Sequence, residues 1–482
     1  MKNIISSLST LYSEYFGVAP EIIAPLPQGG SDRKYFRLTS AGKSAVGAYN
    51  IDIQENRTFI YLTNHFYGKG IPVPQVLGVS QDEKFYLLTD LGNASLLQYI
   101  ENVDWSNAKL QILAIEKTLK LLAKVQVEGA KGLDFGKCYP KSEFDLQSIM
   151  WDFYYFKYSF LKPTGLRFNE TLLDDDFSTI AEMLLQQPIK YFHYRDFQSR
   201  NVMLFNDEPY FIDYQGGRKG PLLYDVASFL YQAKANLPES VRLHLLNYYL
   251  CEVSNITEID KELSKEVFPV FVLFRIIQTL GAYGFRGFFE RRSHFLQSIP
   301  LAAKNLKLLL NNNHKLFQGI PTLRAICEAI VEKFHEPSEQ HQEFSGLAIE
   351  VTSFSYKKGY PTEHPEHGGG FVFDCRGLPN PGRINSYKML TGNDKNVILY
   401  LEEYKEIDDF FSQAYSMVQP SVQTYLSRRF KHLSVSFGCT GGQHRSVYMA
   451  NRMAAALKKE GPVSVTLSHR ELNKYENGKE IV

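Results

Sequence analysis

Cysteine is scarce in this chain. The five present, Cys138, Cys251, Cys327, Cys375 and Cys439, are scattered, odd in number, and form no CxxC pair or Cys/His zinc spacing. A structural zinc site is not expected, and a reducing, cytoplasmic compartment fits. Long apolar runs are missing too. Nowhere do about 18 uninterrupted apolar residues occur, as a membrane span needs, and the N-terminal MKNIISSLSTLYSEYFG breaks its apolar positions with polar ones. No membrane partner is expected. Charge of one sign is not in excess: 53 Lys and Arg against 52 Asp and Glu leave +1, which excludes bulk electrostatic attraction to nucleic acid while leaving specific binding open. GxxxxGK[ST] is absent, which removes the P-loop route to nucleotide phosphates.

With 44% hydrophobic and 14% aromatic residues among 482, the chain can bury more than one core, and two or three domains are expected. The most informative stretch is HYRDFQSRNVMLFNDEPYFIDYQGGRKGPLLYD, residues 193–225. The runs VMLF and PYFI flank a polar tip at Asn206-Asp207 and read as a hairpin. That hairpin would bring Asp196, Asn201 and Asp213 around one small volume. Transfer of a phosphoryl group from Mg-ATP needs such a set: one Asp to orient the attacking hydroxyl, and an Asn and a second Asp as oxygen ligands for the metal. The five-residue step from Asp196 to Asn201 matches the D-x-x-x-x-N spacing of kinase catalytic loops, and Asp213 ends a strand-like run where the metal-binding Asp is expected. Tyr214 and Gln215 stand where protein kinases have Phe-Gly. The plainer alternative is a surface hairpin with ordinary polar residues. Asp225, at the start of a helical run, reads as a cap or as a brace for the loop backbone.

Taken in order, the chain opens with a helix over 3–16 stopped by Gly17. Two strands around Thr39 to Lys43 follow a turn at Gln28-Gly29-Gly30-Ser31-Asp32, whose glycines and hydroxyl would let amides approach a phosphate, although a Gly-Gly is more often a plain turn. A helix is expected from Glu55 to Tyr67. The strand KFYLLTDLG ends in a hinge at Thr89-Asp90-Leu91-Gly92, against which adenine would lie. From Ser95 to about Lys315 the patterns are helical. MWDFYYFKYSFLK and FRIIQTLGAYGFRGFFERRSHF are aromatic-rich, which is usually core packing; the functional reading has Asp152, Tyr154, Arg275 or Tyr283 reaching an acceptor pocket. The polar segment EKFHEPSEQHQEFSG, residues 332–346, has the composition of a linker.

Beyond it the balance is slightly basic, 17 Lys and Arg against 15 Asp and Glu in residues 341–482, and strand-like LAIEVTSFSY, GGFVFDCRGL and HLSVSFGCTGG alternate with helical stretches in α/β order. SVSFGCTGGQHRSVYMANRMAAAL reads as strand, loop, helix. Cys439, Thr440, Gly441, Gly442, Gln443, His444, Arg445 and Ser446 form its anion loop, where amides, helix dipole and guanidinium would meet an oxyanion. A sharp turn needing glycine for steric reasons is the plainer alternative. Cys439 and Arg445 also stand in the C-x-x-x-x-x-R spacing of cysteine phosphatases, with Asp374, beside Cys375, as the candidate acid. The basic residues around the loop, Arg428, Arg429, Lys431, Arg452, Lys458, Lys459 and Arg470 among them, would serve an RNA backbone or simply a solvated surface.

On SDRKYFR, LLTDLG, YRDFQSRNVM, FIDYQGGRKGPLLYDVASFL and RIIQTLGAYGF, residues 1–325 resemble the aminoglycoside phosphotransferase-like kinases, most nearly the AmgK-type anomeric kinases of N-acetylmuramate and N-acetylglucosamine. The resemblance implies Asp196 as base or hydroxyl-orienting residue, Asn201 and Asp213 as magnesium ligands, and Arg200 and Gln215, with Asp152 and Tyr154, on the substrate side. It implies ATP held by Gly29, Gly30, Ser31, Asp32, Arg33, Thr89 and Asp90. The strand SAVGAYN lacks the phosphate-pairing lysine of protein kinases; Lys43 only begins it, and Arg33 is the candidate replacement. On FSYKKGYP, FVFDCRGLPNPG, GCTGGQHRSVY and SHRELNK, residues 344–475 resemble the C-terminal domain of the RNase adapter protein RapZ, without the P-loop domain that precedes it there. That implies small-RNA binding, or sensing of a phosphosugar or sugar nucleotide.

The expected architecture is an α+β two-lobed protein-kinase-like domain (N lobe 1–92, helical C lobe 93–328), a linker at 329–343 and a separate α/β domain over 344–482. The expected function is an ATP- and Mg2+-dependent sugar kinase of cell-wall recycling fused to a phosphosugar-sensing or RNA-binding module. The alternative is a non-catalytic nucleotide-binding adapter that docks RNA or a partner.

Overall fold

A computed structural model describes residues 2–27, 33–101, 103–334, 346–361, 370–428 and 430–472. The chain forms two compact units, Met1–Glu336 and Pro337–Val482.

In the first unit, helix α1 (Lys2–Phe16) precedes strands β1 (Ile22–Pro25), β2 (Lys34–Ser40) and β3 (Lys43–Tyr49), helix α2 (Ile53–Gly68), and strands β4 (Val76–Val79) and β5 (Phe85–Thr89). The strands make one antiparallel sheet in the order β1-β2-β3-β5-β4. Alternation in β2 sends Phe36 and Leu38 to one face, where they meet Leu8, Leu11 and Tyr12 of α1. Strand β5 does not alternate, because both its faces are covered: Phe85 and Leu87 pack under α1, while Tyr86 and Leu88 join the main core with Phe59, Leu62 and Phe66 of α2. Asp52 starts α2 by accepting from the amides of Gln54 and Glu55, at 3.0 and 3.2 Å.

The rest of the unit is helical. Its longest helix, Lys261–Gly284, continues as a π-helical turn, Phe285–Phe289, and by length and composition the pair could span a membrane. Two thirds of its most apolar window is buried within the unit, so it serves as a core helix. Two small ladders interrupt the helices: β6 (Tyr191–His193) with β9 (Arg218–Gly220), and β7 (Val202–Phe205) with β8 (Glu208–Phe211). The β7–β8 turn has Asn206 and Asp207 at φ of 52° and 61°, the left-handed pair that a two-residue hairpin requires. Of the expected linker, residues through Lys333 instead finish the helix Pro321–Lys333, because Ile326, Cys327 and Ile330 bury one face of it; 335–343 lie outside the described residues.

The second unit holds a four-stranded, wholly parallel sheet in the order β11-β12-β10-β13, from β10 (Leu347–Ser355), β11 (Gly370–Asp374), β12 (His432–Cys439) and β13 (Val463–His469). The helices Lys405–Ser427 and Arg445–Leu457 pack on it through Val418, Val422, Met449 and Met453, enclosing Val351, Val435 and Phe437. The expected fold classes, two-lobed α+β followed by α/β, are both present.

Candidate functional site

The loop between β6 and β7 is fixed from below by one buried carboxylate. Asp225 accepts from the amides of Tyr194 (2.8 Å) and Arg195 (2.9 Å) and from Gln126 Nε2 (2.8 Å), so it braces the loop backbone. Asn201 closes the loop from above: its Nδ2 donates to the Asp196 carbonyl at 2.9 Å and to Asp213 Oδ2 at 3.2 Å. Asp196, Asn201 and Asp213 thus converge. Arg195 and Asp213 have φ of 77° and 67°, left-handed values unusual for residues with a Cβ; such backbone persists only where its surroundings over-determine it.

Arginines surround the first carboxylate. Arg275 Nη2 lies 3.5 Å from Asp196 Oδ1 and its Nη1 donates to Tyr224 Oη at 3.2 Å, while Arg195 Nη2 donates to Asp152 Oδ1 at 3.3 Å. The surrounding protein disfavours charge on Asp196, but Arg275, Arg195, Arg200 and Arg218 outweigh it and hold the carboxyl below its usual range. Its side chain is 44% exposed, so an incoming hydroxyl can reach it. Arg218 is almost fully buried, and burial with the neighbouring Arg195 pushes it down to about 10.

Asp213 shows the opposite shift. Enclosure raises it, the Gln215 hydrogen bond (Nε2 to Oδ1, 2.9 Å) opposes, and the negative charge of Asp196 adds to the rise. The buried Oε1 of Gln215 has no hydrogen-bond partner among the described residues. A carboxylate, an Asn and an unsatisfied carbonyl oxygen fit a hard divalent cation with oxygen ligands. Asn201, Asp213 and Gln215 are the residues that would hold it.

Other expected site residues fall differently. Gly29, Gly30, Ser31 and Asp32 lie outside the described residues. Arg33 is buried, 3.1 Å from Glu55 of α2. Thr89 ends β5 with its amide on the Gln75 carbonyl. The Asp90 carboxylate is taken up by Arg37 (2.7 and 2.9 Å), Ser44 and the Gly92 amide, so it braces the hinge. Arg200 is exposed and acts electrostatically on both Asp196 and Asp213. Asp152 reaches the cluster, but Tyr154 does not. Two positions along one helix turn it to another face, where its ring meets Tyr158 and Lys157. Sequence reasoning missed Glu55 and Arg218. An arginine enclosed in GGRKG beside the metal-ligand Asp was the available signal for Arg218.

In the second unit the loop after β12 wraps around a thiol. Cys439 Sγ accepts from the Gly442 amide and meets Ser446 Oγ, both at 3.2 Å; burial opposes ionisation, yet Ser446, Gly442 and Arg445 lower the thiol below its ordinary value. Gly442 has φ of 69°, and a Cβ there would lie 2.9 Å from the Ser355 amide, so glycine is required. The side chains of Gln443, His444 and Arg445 reach backbone carbonyls of a neighbouring segment. Gln443 Nε2 donates to the Leu390 carbonyl at 2.6 Å, His444 Nε2 meets that of Tyr387 at 2.9 Å, and Arg445 Nη1 donates to those of Arg376 and Leu378 at 2.7 and 2.9 Å. Arg445 therefore pins the 376–378 segment through Nη1, Cys439 is almost fully buried, and Asp374 is paired with Arg376. Arg452 is likewise taken by Asp408.

A sheet-rich part, a helical part and the hairpin of residues 202–211 make up a kinase-like phosphotransferase fold. The chain's own matches agree. Residues 22–261 match the model of the phosphotransferase enzyme family and residues 347–473 that of the RapZ C-terminal domain, so the chain joins a domain of the first kind to one of the second. A nucleotide-binding protein of Thermotoga neapolitana is 38% identical over 129 residues, 27% of this chain and 44% of that one. Another, from Lactobacillus gasseri, is 34% identical over 179 residues, 37% and 56%. The chain thus spans about half the length of the curated relatives it matches. Among solved structures, choline kinase LicA from Streptococcus pneumoniae has a TM-score of 0.46 at 11% identity, over 64% of this chain and 98% of that one. A putative aminoglycoside phosphotransferase from Ralstonia eutropha has a TM-score of 0.43 at 10% identity, over 70% and 99%.

Proposed function

We propose that the first unit transfers the γ-phosphoryl group of ATP to the anomeric hydroxyl of an amino sugar, N-acetylmuramate or N-acetylglucosamine. The observation that carries the reading is Asn201 bridging the Asp196 backbone and the Asp213 carboxylate, with Asp196 open to solvent. Asp196, kept ionised by its arginines, orients the acceptor hydroxyl. The hydroxyl oxygen bonds to the γ-phosphorus, the bond from that phosphorus to the bridging oxygen of ADP breaks, and the hydroxyl proton passes through Asp196 to solvent. Asn201, Asp213 and Gln215 would hold magnesium, which when bound would neutralise charge on the phosphates. Positioning and electrostatics supply the rate, with no covalent enzyme intermediate.

The second unit, in this reading, recognises a phosphosugar, a sugar nucleotide or a small RNA, placing both units in one amino-sugar pool of cell-wall recycling. A second reading, a nucleotide-binding adapter without catalysis, draws on the name of the curated relatives.

ADP release measured over a panel of amino sugars separates the two. We expect sugar-dependent release that falls by about 100-fold or more in Asp196→Ala. Full activity in that variant contradicts the assignment.

A further inference from the structure

We infer that Arg33 and Glu55 together replace the lysine–glutamate pair of protein kinases: Arg33 binds the nucleotide's phosphates and Glu55 is the positioning residue that aims it. The inference rests on the kinase reading and asks how that site holds its triphosphate without the usual lysine.

Strand β3 does not carry that lysine: after Lys43 it runs Ser44, Ala45, Val46, Gly47, Ala48 and Tyr49. Lys43, its only cation, is turned away, donating to the Phe16 carbonyl at 2.9 Å and lying over the Phe16 ring.

Arg33 stands immediately before β2, the neighbouring strand, and is 2% exposed. Its Nη1 donates to Tyr35 Oη at 3.2 Å, and its guanidinium lies 5.7 Å from the Phe59 ring centre. Nη2 is 3.1 Å from Glu55 Oε1 without making an aligned hydrogen bond, and Nε has no hydrogen-bond partner among the described residues. A buried cation with donors unspent is costly, and an anion that accepts them removes the cost. The phosphates of a nucleotide are such an anion, and a guanidinium recognises them by charge-assisted hydrogen bonds. The Phe59 ring beneath the guanidinium also stacks on Tyr214, the residue after Asp213, with centroids 5.2 Å apart, so Arg33 stands beside the segment that carries the metal-side carboxylate.

Glu55 is fixed independently of Arg33. Its amide donates to the α2 cap Asp52, and Asn50 Nδ2 donates to its Oε2 at 2.6 Å. The cap of α2 thereby sets where the guanidinium points.

The test is calorimetric titration of the full chain with MgATP and with adenosine, for wild type, Arg33→Met, Arg33→Lys and Glu55→Gln. Arg33→Met should lose at least about tenfold in ATP affinity with adenosine affinity unchanged. Arg33→Lys should recover part of that loss, and Glu55→Gln should show a smaller selective loss. An Arg33→Met chain that keeps the wild-type preference for ATP over adenosine overturns the inference and leaves the kinase reading standing; a wild type with no such preference overturns both. Should Arg33→Met fail to fold, Glu55→Gln decides, and an unchanged preference there overturns the inference.

Discussion

His193 shows how the site's electrostatics reach into stability. It is buried against the rings of Phe144 and Tyr224, with centroids at 5.4 and 4.4 Å, and neither ring nitrogen has a hydrogen-bond partner among the described residues. Asp225, at 3.8 Å, is too far for a hydrogen bond. Burial, then Arg218, Arg195 and Arg275, push its pKa well down, so the imidazole stays neutral. Below an unfolded pKa of about 6.5 the native state therefore binds fewer protons than the unfolded state. This group's contribution is present above that pH and is lost as pH falls. His193→Phe keeps the ring and removes the titration. Its Tm should fall less than wild type's between about pH 7.5 and 5; equal falls would contradict the account. At this scale the convergence of Asp196, Asn201 and Asp213 was legible because a short loop and a hairpin fix their spacing in sequence. Glu55 was not, since an acid in a helix's first turn reads equally well as a favourable partner of the helix dipole.

Elements carry that geometry across the first unit. Tyr214, directly after Asp213, stacks on Phe59 at 5.2 Å and hydrogen-bonds Thr63 Oγ1 at 2.6 Å, so α2 and the Asp213 segment are tied together. At the far side, two π-helical turns, Lys157–Leu161 and Phe285–Phe289, meet where Gly284 lets backbones approach. A Cβ on Gly284 would lie 2.3 Å from the Ser159 carbonyl oxygen and 2.8 Å from Phe160 Cα. Gly284→Ala should therefore cost about 1–3 kcal/mol, read by urea unfolding; unchanged stability would contradict the close packing. The aromatic-and-glycine pattern of 274–295 marked core packing in the sequence, but a π-turn has no separate signature within a 3.6-residue period. Strand β1 escaped notice because it is four residues long and largely exposed at a sheet edge.

At the scale of the whole molecule, the sequence made two secondary-structure rhythms legible: antiparallel strands then helices in the first unit, strands alternating with helices in the second. It could not show that Gln443, His444 and Arg445 turn toward the 376–392 segment, since spacing does not fix side-chain direction. In the RNA reading, affinity of the full chain should fall steeply with added salt, whereas affinity for a phosphosugar should fall far less; a filter-binding series at two salt concentrations reads the difference.

The account rests on phosphoryl transfer at the Asp196–Asn201–Asp213 cluster. Phosphorus NMR of the full chain with MgATP and N-acetylglucosamine or N-acetylmuramate tests it most directly. The predicted result is an anomeric sugar phosphate growing in step with ADP, and lost in Asp213→Ala. ADP without a sugar phosphate, or the same product from Asp213→Ala, would contradict it.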